Sequence, residues 1–151
     1  MAHVVLLYHI IWRTKRSERT INENHERDLY AYINGFCINK KCQLIRINGM
    51  SDHLHMLMEI PPEYSVSDVV KILKVGTSKW MKEHSELFPN FDGWGNGYAA
   101  FTYSERDKGM IRQYIMNQKV HHKTKTFREE YEAMLQEWGI DPTKDFFLRD
   151  D

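Results

Sequence analysis

A short segment in the first half of the chain constrains the fold more than any other part of the sequence. In residues 52–60 every second residue from position 54 onward is apolar. Positions two apart on a β-strand share one face. The apolar positions are Leu54, Met56, Met58 and Ile60. This alternation predicts a strand whose apolar face packs on the core. His53 and His55 fall together on the opposite face, which we expect to be exposed.

The histidine pair is a candidate metal site. Two imidazoles roughly 6–7 Å apart along a strand can converge on one divalent ion, with bonds of about 2.0–2.1 Å each. The same spacing also occurs where two histidines are simply solvated. His53 and His55 therefore indicate a metal site only if further groups from elsewhere in the chain join them.

Tyr114 and Gln118 are candidates for those further groups. They are four residues apart in a predicted helix, so they share one helical face. A tyrosine hydroxyl is a nucleophile in covalent catalysis, but a pKa near 10 keeps it protonated at neutral pH. It therefore needs a base, or a metal that activates the phosphate it attacks. The Gln118 amide oxygen could be a third ligand, in a site suited to Mg²⁺ or Mn²⁺. The alternative is that Tyr114 is a core residue of an amphipathic helix.

Length and composition predict one domain spanning residues 1–151. With 42% hydrophobic and 13% aromatic residues, the chain does not have the composition of a disordered protein. No stretch approaches the 18 or more apolar residues of a membrane span, and the N-terminus lacks the basic region of a signal peptide. We expect Cys37 and Cys42 to be free thiols in a reducing cytoplasm, with a disulfide as the alternative.

The net charge of zero hides an asymmetry. Residues 1–128 hold 19 Lys/Arg against 13 Asp/Glu, whereas residues 129–151 hold 2 against 8. A basic body with an acidic tail permits nucleic-acid binding. Charge alone, however, favours an ordinary solvated surface that ends in an acidic helix.

Hydrophobic periodicity predicts the order β-α-β-β-α-β-α-α. The predicted strands are His3–Trp12, Gln43–Gly49, residues 52–60 and Gly97–Tyr103. The predicted helices are Asn22–Asn39, one capped by Ser65 or Ser67, one from Ser104 or Asp107 to about Gln118, and Phe127–Trp138, followed by a tail at Asp141–Asp151. The second and third strands should form a hairpin. This order predicts an α+β domain with a ferredoxin-like or RRM-like antiparallel sheet, helices packed on it and extra C-terminal helices.

His53-Leu54-His55 followed by Tyr114-x-x-x-Gln118 resembles the single-tyrosine HUH transposases of bacterial insertion sequences and the related REP-associated tyrosine transposases. The likeness extends to residues 8–15, 48–55, 61–74 and 94–98, and it covers roughly residues 3–122. The final segment, Phe127–Phe147, resembles an acidic C-terminal extension found in a subgroup of the family.

The resemblance implies a function and a set of roles. Family members cut single-stranded DNA at element ends that fold into imperfect hairpins. Tyr114 would form a 5′-phosphotyrosine and release a 3′-hydroxyl, while His53, His55 and Gln118 would hold Mg²⁺ or Mn²⁺. Members are homodimers, often with the tyrosine of one subunit completing the histidine pair of the other, so the resemblance implies a homodimer with composite active sites.

Other residues are weaker candidates. Asp52 and Glu59 could hydrogen-bond the metal site, and we expect His121 and His122 to lie near DNA or in solvent rather than to be metal ligands. The candidate DNA contacts are Arg13, Lys15, Arg16, Lys71, Lys74, Lys79, Lys119 and Lys123. Two alternatives to a transposase stay open: a catalytically idle or host-adopted nucleic-acid-binding module on the same fold, and a metal-dependent hydrolase unrelated to DNA.

Overall fold

The computed structural model describes residues 3–145 and 147 of the chain. This part contains the strands β1 (Leu7–Arg13), β2 (Gln43–Met50), β3 (His53–Glu59) and β4 (Ala99–Tyr103). Its helices are α1 (Glu26–Asn39), α2 (Val66–Glu83), α3 (Lys108–Met116), α4 (Gln118–His121) and α5 (Phe127–Glu137). The predicted tail lies partly outside the described residues, and its described part includes a 3-10 turn at Pro142–Lys144.

The four strands form one antiparallel sheet in the order β2-β3-β1-β4. The histidine strand β3 is an inner strand, with His55 opposite Ile11 of β1 on one side and Asn48 of β2 on the other. β2 and β3 form the predicted hairpin. The α+β class and the antiparallel sheet with packed helices are therefore confirmed.

The apolar face of β3 packs as its alternation predicts. Leu54, Met56 and Met58 are buried together with apolar residues of α1 and α2 in the main core. Trp12 of β1, on the same face, contacts the ring of Trp94 at 5.9 Å between centroids. The Trp94 indole in turn donates a hydrogen bond to Thr77 of α2 at 2.9 Å. Helices α1 and α2 therefore cover this face of the sheet.

The opposite face of β3 is buried too, so the expectation of an exposed histidine face was wrong. His53 and His55 have no solvent-accessible surface. On the same face Leu57 packs with Ile111 and Ile115 of α3, and the C-terminal helices cover the rest. The alternation in β3 identifies its two faces, but it cannot show that residues more than fifty positions later will cover the second one.

The helix predicted to run to Gln118 is divided at Asn117. The Asn48 side-chain amide donates to the Met116 carbonyl at 3.1 Å, and in a continuous helix that carbonyl would accept from the Val120 N–H. The Val120 N–H bonds the Asn117 carbonyl instead, at 3.0 Å. A side chain that takes a carbonyl out of the hydrogen-bond ladder interrupts a helix, and Gln118 therefore begins α4.

The helix starts follow recognisable signals. Of the two candidate caps for α2, Ser65 is the one that accepts from the Asp68 N–H. Helix α5 begins with a full capping box, in which Thr126 and Glu129 bond each other's backbone N–H groups. None of the helices among the described residues has the length and apolar character to cross a membrane.

Candidate metal centre and tyrosine site

The histidine pair is held in place by the hairpin and by an adjacent carboxylate. His53 and His55 project from the same face of β3, with ring centroids 5.1 Å apart. The His53 Nδ1 lies 2.7 Å from Oδ1 of Asp52. This hydrogen bond directs the His53 Nε2 into the site, which is how an outer carboxylate orients a metal-binding histidine. The suggested role of Asp52 as a partner is thus supported, whereas Glu59 lies near Lys108 instead, at 3.7 Å.

Gln118 enters the site from the first residue of α4. Its side chain is fully buried, with Oε1 3.0 Å from Nε2 of His53. Its amide nitrogen donates to Oε2 of Glu130 at 2.7 Å. Gln118 therefore lies beside His53 even though the helix is interrupted at Asn117. The structure brings the histidine pair together with Gln118, as the sequence predicted.

Glu130 of α5 is the residue that sequence reasoning missed. Its Oε1 lies 3.0 Å from Nε2 of His55 and 3.5 Å from Nε2 of His53. The ligand atoms of these three residues all lie within 4.8 Å of one another, and the group could hold a metal ion. Glu130 belongs to the acidic C-terminal segment, where a charged residue is ordinarily solvated.

A sequence signal for Glu130 was nevertheless present. It lies three residues after Phe127 and four before Met134, so it shares the apolar stripe of an amphipathic helix. Phe127 stacks on the His53 ring with centroids 4.0 Å apart. That contact docks the start of α5 on the histidine face, and the next turn places the Glu130 carboxylate in the site. A carboxylate on a buried stripe requires partners, and the imidazoles supply them.

Tyr114 of α3 reaches the same carboxylate. Its hydroxyl donates a hydrogen bond to Oε2 of Glu130, and its ring lies 5.9 Å from that of His55. Burial, together with the negative charge of Glu130, raises the pKa of the Tyr114 phenol above its ordinary value. The phenol is therefore neutral here, and its oxygen keeps lone pairs for an incoming electrophile.

The electrostatics of the site follow from burial and from this one carboxylate. Burial favours a neutral carboxyl, yet the imidazoles around it hold the pKa of Glu130 well below its usual range. Burial also disfavours a charged imidazole, but the carboxylates of Asp52 and Glu130 raise the pKa of His53 to about 9. Burial lowers the pKa of His55. At neutral pH an ionised Glu130 carboxylate therefore faces a protonated His53 and a neutral His55.

Three of the candidate DNA-binding residues make contacts within the protein. Arg13 is buried and its Nε donates to the Phe147 carbonyl at 3.0 Å. The Lys74 ammonium donates to two backbone carbonyls at 2.7 and 2.9 Å. The Lys119 ammonium lies 3.0 Å from the Glu26 carboxylate. All three charges are engaged in holding elements of the fold together.

The other candidates lie on different parts of the surface. Lys15 and Arg16 lie 3.5 and 3.9 Å from the exposed carboxylate of Asp92. Lys71 and Lys79 are exposed on α2, which covers the opposite face of the sheet from Tyr114. The structure therefore does not bring this set of residues together on one surface beside the site.

A cleft of about 640 Å³ does open beside the site. His122 and Phe127 form part of its wall, and Asp52 is the acidic residue in its lining. Four basic side chains also line it: Arg19, Lys123, Lys125 and Arg128. Of these, only Lys123 was among the candidate DNA contacts. The cleft places a basic surface next to Asp52 and His122, which contact His53 and Glu130 of the buried site.

Sequence comparisons place the chain beside known transposases. The family model for IS200-like transposases matches residues 2–118. The ISDra2 transposase TnpA of Deinococcus radiodurans is 26% identical over 117 residues, which are 75% of this chain and 84% of the relative. The transposase for insertion sequence element IS200 of Salmonella typhimurium is 29% identical over 115 residues, 74% of this chain and 75% of the relative.

Solved structures with a similar fold are also transposases. A crystal structure attributed to a transposase of Deinococcus radiodurans R1 has a TM-score of 0.61 and 27% identity, over 78% of this chain and 93% of that one. A REP-associated tyrosine transposase bound to a REP hairpin also has a TM-score of 0.61, at 11% identity, over 81% and 72% of the two chains. The second likeness concerns the fold alone. Helix α5, with Glu130, lies beyond the residues that the family model matches.

Proposed function

The chain belongs to the IS200-like transposase family, and on that basis we propose that it cuts and rejoins single-stranded DNA at hairpin-bearing element ends through a 5′-phosphotyrosine. Family membership makes it a DNA-cleaving transposase. The nucleophile, the intermediate and the form of the DNA are our proposal. One observation carries it: the Tyr114 hydroxyl and the His53–His55 pair meet at one carboxylate, Glu130, inside a single chain.

The proposed reaction is a transesterification at phosphorus. The Tyr114 oxygen attacks the scissile phosphate and forms a new P–O bond, while its phenolic proton leaves to a neighbouring acceptor. The bond between phosphorus and the 3′-oxygen breaks, and that oxygen takes up a proton to become a 3′-hydroxyl. Rejoining is the reverse reaction, in which a 3′-hydroxyl attacks the phosphotyrosine. No nucleotide cofactor is consumed because the phosphotyrosine conserves the ester bond.

The residues present fit a divalent metal. The Nε2 atoms of His53 and His55 and the Oε1 of Gln118 face a common region, and we propose that these three residues hold Mg²⁺ or Mn²⁺. A bound divalent ion polarises a phosphoryl oxygen and stabilises charge on the leaving oxygen. The hydrogen bond from Asp52 keeps the His53 Nε2 directed at that region.

The basic cleft is our proposed path for the single strand. Lys123, Lys125 and Arg128 could neutralise backbone phosphates at the entrance to the site. Because the candidate DNA contacts on α2 lie across the sheet from Tyr114, we assign them no role in guiding the strand to the nucleophile.

The assembly of the site is also part of the proposal. Tyr114 reaches Glu130 and the histidines of its own chain, which supports an active site completed in cis. The family resemblance implies a homodimer, and we keep that prediction. A dimer of this form would carry two separate sites rather than two shared ones.

A covalent adduct tests the proposal. Single-stranded oligonucleotides copied from the DNA that flanks the gene, chosen for imperfect hairpins, are incubated with the full chain and Mg²⁺ or Mn²⁺. A 3′-end label should migrate with the protein on a denaturing gel, and a 5′-end label should leave with the free fragment. Tyr114→Phe should form no adduct, whereas Tyr64→Phe, which changes an exposed tyrosine, should behave as wild type.

The outcomes separate the alternatives. An adduct that persists in Tyr114→Phe would refute the assignment of the nucleophile. Hairpin binding without any adduct by the wild-type chain would favour the idle nucleic-acid-binding module. Phosphodiester cleavage without a protein-bound label would favour a metal-dependent hydrolase.

A further inference from the structure

Two side chains beyond the family match converge on the candidate metal centre. They are His122, which follows α4, and Glu130 of α5; each side chain is only 5% exposed. The family model matches residues 2–118, so both residues lie outside the matched region. The His122 Nε2 lies 3.1 Å from Oε1 of Glu130.

One oxygen atom is therefore surrounded by three imidazoles. Oε1 of Glu130 lies 3.0 Å from Nε2 of His55, 3.1 Å from Nε2 of His122 and 3.5 Å from Nε2 of His53. The rings of His53 and His122 are also in contact, with centroids 4.7 Å apart. Three Nε2 atoms and one carboxylate oxygen are a donor set that can bind a first-row transition ion.

The hydrogen bond of the His122 Nδ1 determines which ring nitrogen of His122 is available to a metal. Its Nδ1 lies 2.8 Å from the Lys125 carbonyl oxygen, and a carbonyl can only accept, so Nδ1 carries the hydrogen. Nε2 is therefore the ring nitrogen that can bind a metal through a lone pair. It lies beside Oε1 of Glu130, next to the Nε2 atoms of His53 and His55, so one ion could contact all four donor atoms.

We infer that His53, His55, His122 and Glu130 form a three-imidazole, one-carboxylate site that takes a first-row transition ion such as Mn²⁺ or Co²⁺ in preference to Mg²⁺. Affinity for nitrogen ligands rises along the first-row series from Mn²⁺ to Co²⁺, whereas Mg²⁺ prefers oxygen ligands and retains its waters. Gln118 orients the carboxylate through its amide nitrogen and keeps Oε1 as a further oxygen donor. The inference rests on the proposed function only for the location of the metal.

Metal binding by the full chain without DNA tests this inference. Isothermal titration with MnCl₂, CoCl₂ and MgCl₂ measures the affinities, and the visible absorption of Co²⁺ reports nitrogen ligation. We expect one transition ion per chain and Mg²⁺ binding weaker by at least about tenfold. His122→Asn removes Nε2 but retains a donor for the Lys125 carbonyl, and Glu130→Gln retains the shape of the side chain. Each should weaken Mn²⁺ binding by at least about tenfold, since even outer-shell substitutions cost about 10–100-fold.

Matched controls and a second readout complete the test. His25→Gln changes a histidine that pairs with Asp28, and Glu132→Gln changes a half-exposed carboxylate of the same helix α5; both should bind Mn²⁺ as wild type. Circular dichroism establishes that each variant is folded. If the His122 variants do not fold, the proton NMR spectrum of the Co²⁺-loaded wild type should show three strongly shifted imidazole N–H signals.

Three results would overturn the inference. One is equal affinity of the wild type for Mg²⁺ and Mn²⁺. Another is unchanged Mn²⁺ binding by folded His122→Asn or Glu130→Gln protein. The third is an NMR spectrum with only two shifted imidazole signals. Because no DNA is present, these measurements are independent of whether Tyr114 forms an adduct.

Discussion

Tyr114 donates its hydroxyl hydrogen bond to Glu130, whose other carboxylate oxygen lies 3.0 Å from Nε2 of His55. A residue of the C-terminal helix thus links the proposed nucleophile to the proposed metal site. Helix α5 lies outside the matched family region, yet the site as folded depends on it.

Asp52→Asn should weaken metal binding without unfolding the protein. The Asp52 carboxylate lies 2.7 Å from His53 Nδ1, and loss of such an outer partner typically costs about 10–100-fold in metal affinity. Titration with Mn²⁺ measures the effect. Asp92→Asn, which changes an exposed carboxylate paired with Lys15, is the control and should have no effect. Equal affinities for the two variants would mean that Asp52 does not orient His53.

Mixing His53→Ala with Tyr114→Phe protein should restore no adduct formation. If the site is built in cis, neither subunit of a mixed dimer has both His53 and Tyr114. Heterodimers are verified with two affinity tags, and light scattering measures whether the chain is a dimer at all. Recovery of activity in the heterodimer would show that the site is shared between subunits. A monomer at working concentration would refute the predicted homodimer.

Phe127→Ala should destabilise the protein strongly. Phe127 is buried and stacks on His53, and truncation of a buried phenylalanine typically costs about 3–5 kcal/mol. Urea unfolding monitored by circular dichroism measures the loss. Ile38→Ala, at a position of α1 that is 65% exposed, should change stability by no more than about 0.5 kcal/mol. A loss in Phe127→Ala of no more than about 0.5 kcal/mol, the size expected for a surface position, would mean that the docking of α5 contributes little to the folded state.

Cys37 should resist alkylation in the folded protein. Burial raises the pKa of its thiol to about 12, so at pH 8, well below that value, the group is protonated and unreactive, since the thiolate is the nucleophile. Cys37 and Cys42 are both buried free thiols. Mass spectrometry after iodoacetamide treatment should therefore show slow labelling of the native chain and two labels after denaturation. Rapid native labelling at Cys37 would contradict its burial.

Local patterns in the sequence were sufficient to predict much of the fold and the histidine, tyrosine and glutamine residues of the site. The alternation in β3 placed His53 and His55 on one face, because side chains of a strand alternate by geometry alone. Helical spacing predicted that Tyr114 and Gln118 lie near each other. They do so although the helix is interrupted at Asn117, since both hydrogen-bond Glu130. The order of elements along the chain, the hairpin and the helix caps also follow from short-range signals.

The tertiary structure alone decided the rest of the site. Glu130 is 75 positions from His55, and no local period relates the two. Its role depends on Phe127 docking against His53, which turns a carboxylate of an acidic segment toward buried imidazoles. Likewise, the sequence gives no sign that Arg13 and Lys119 are anything but surface charges. In the folded protein Arg13 bonds the Phe147 carbonyl and Lys119 pairs with Glu26. The sequence by itself determined which face each residue occupies on its own element. Which faces meet was decided only when burial of apolar surface brought distant elements together.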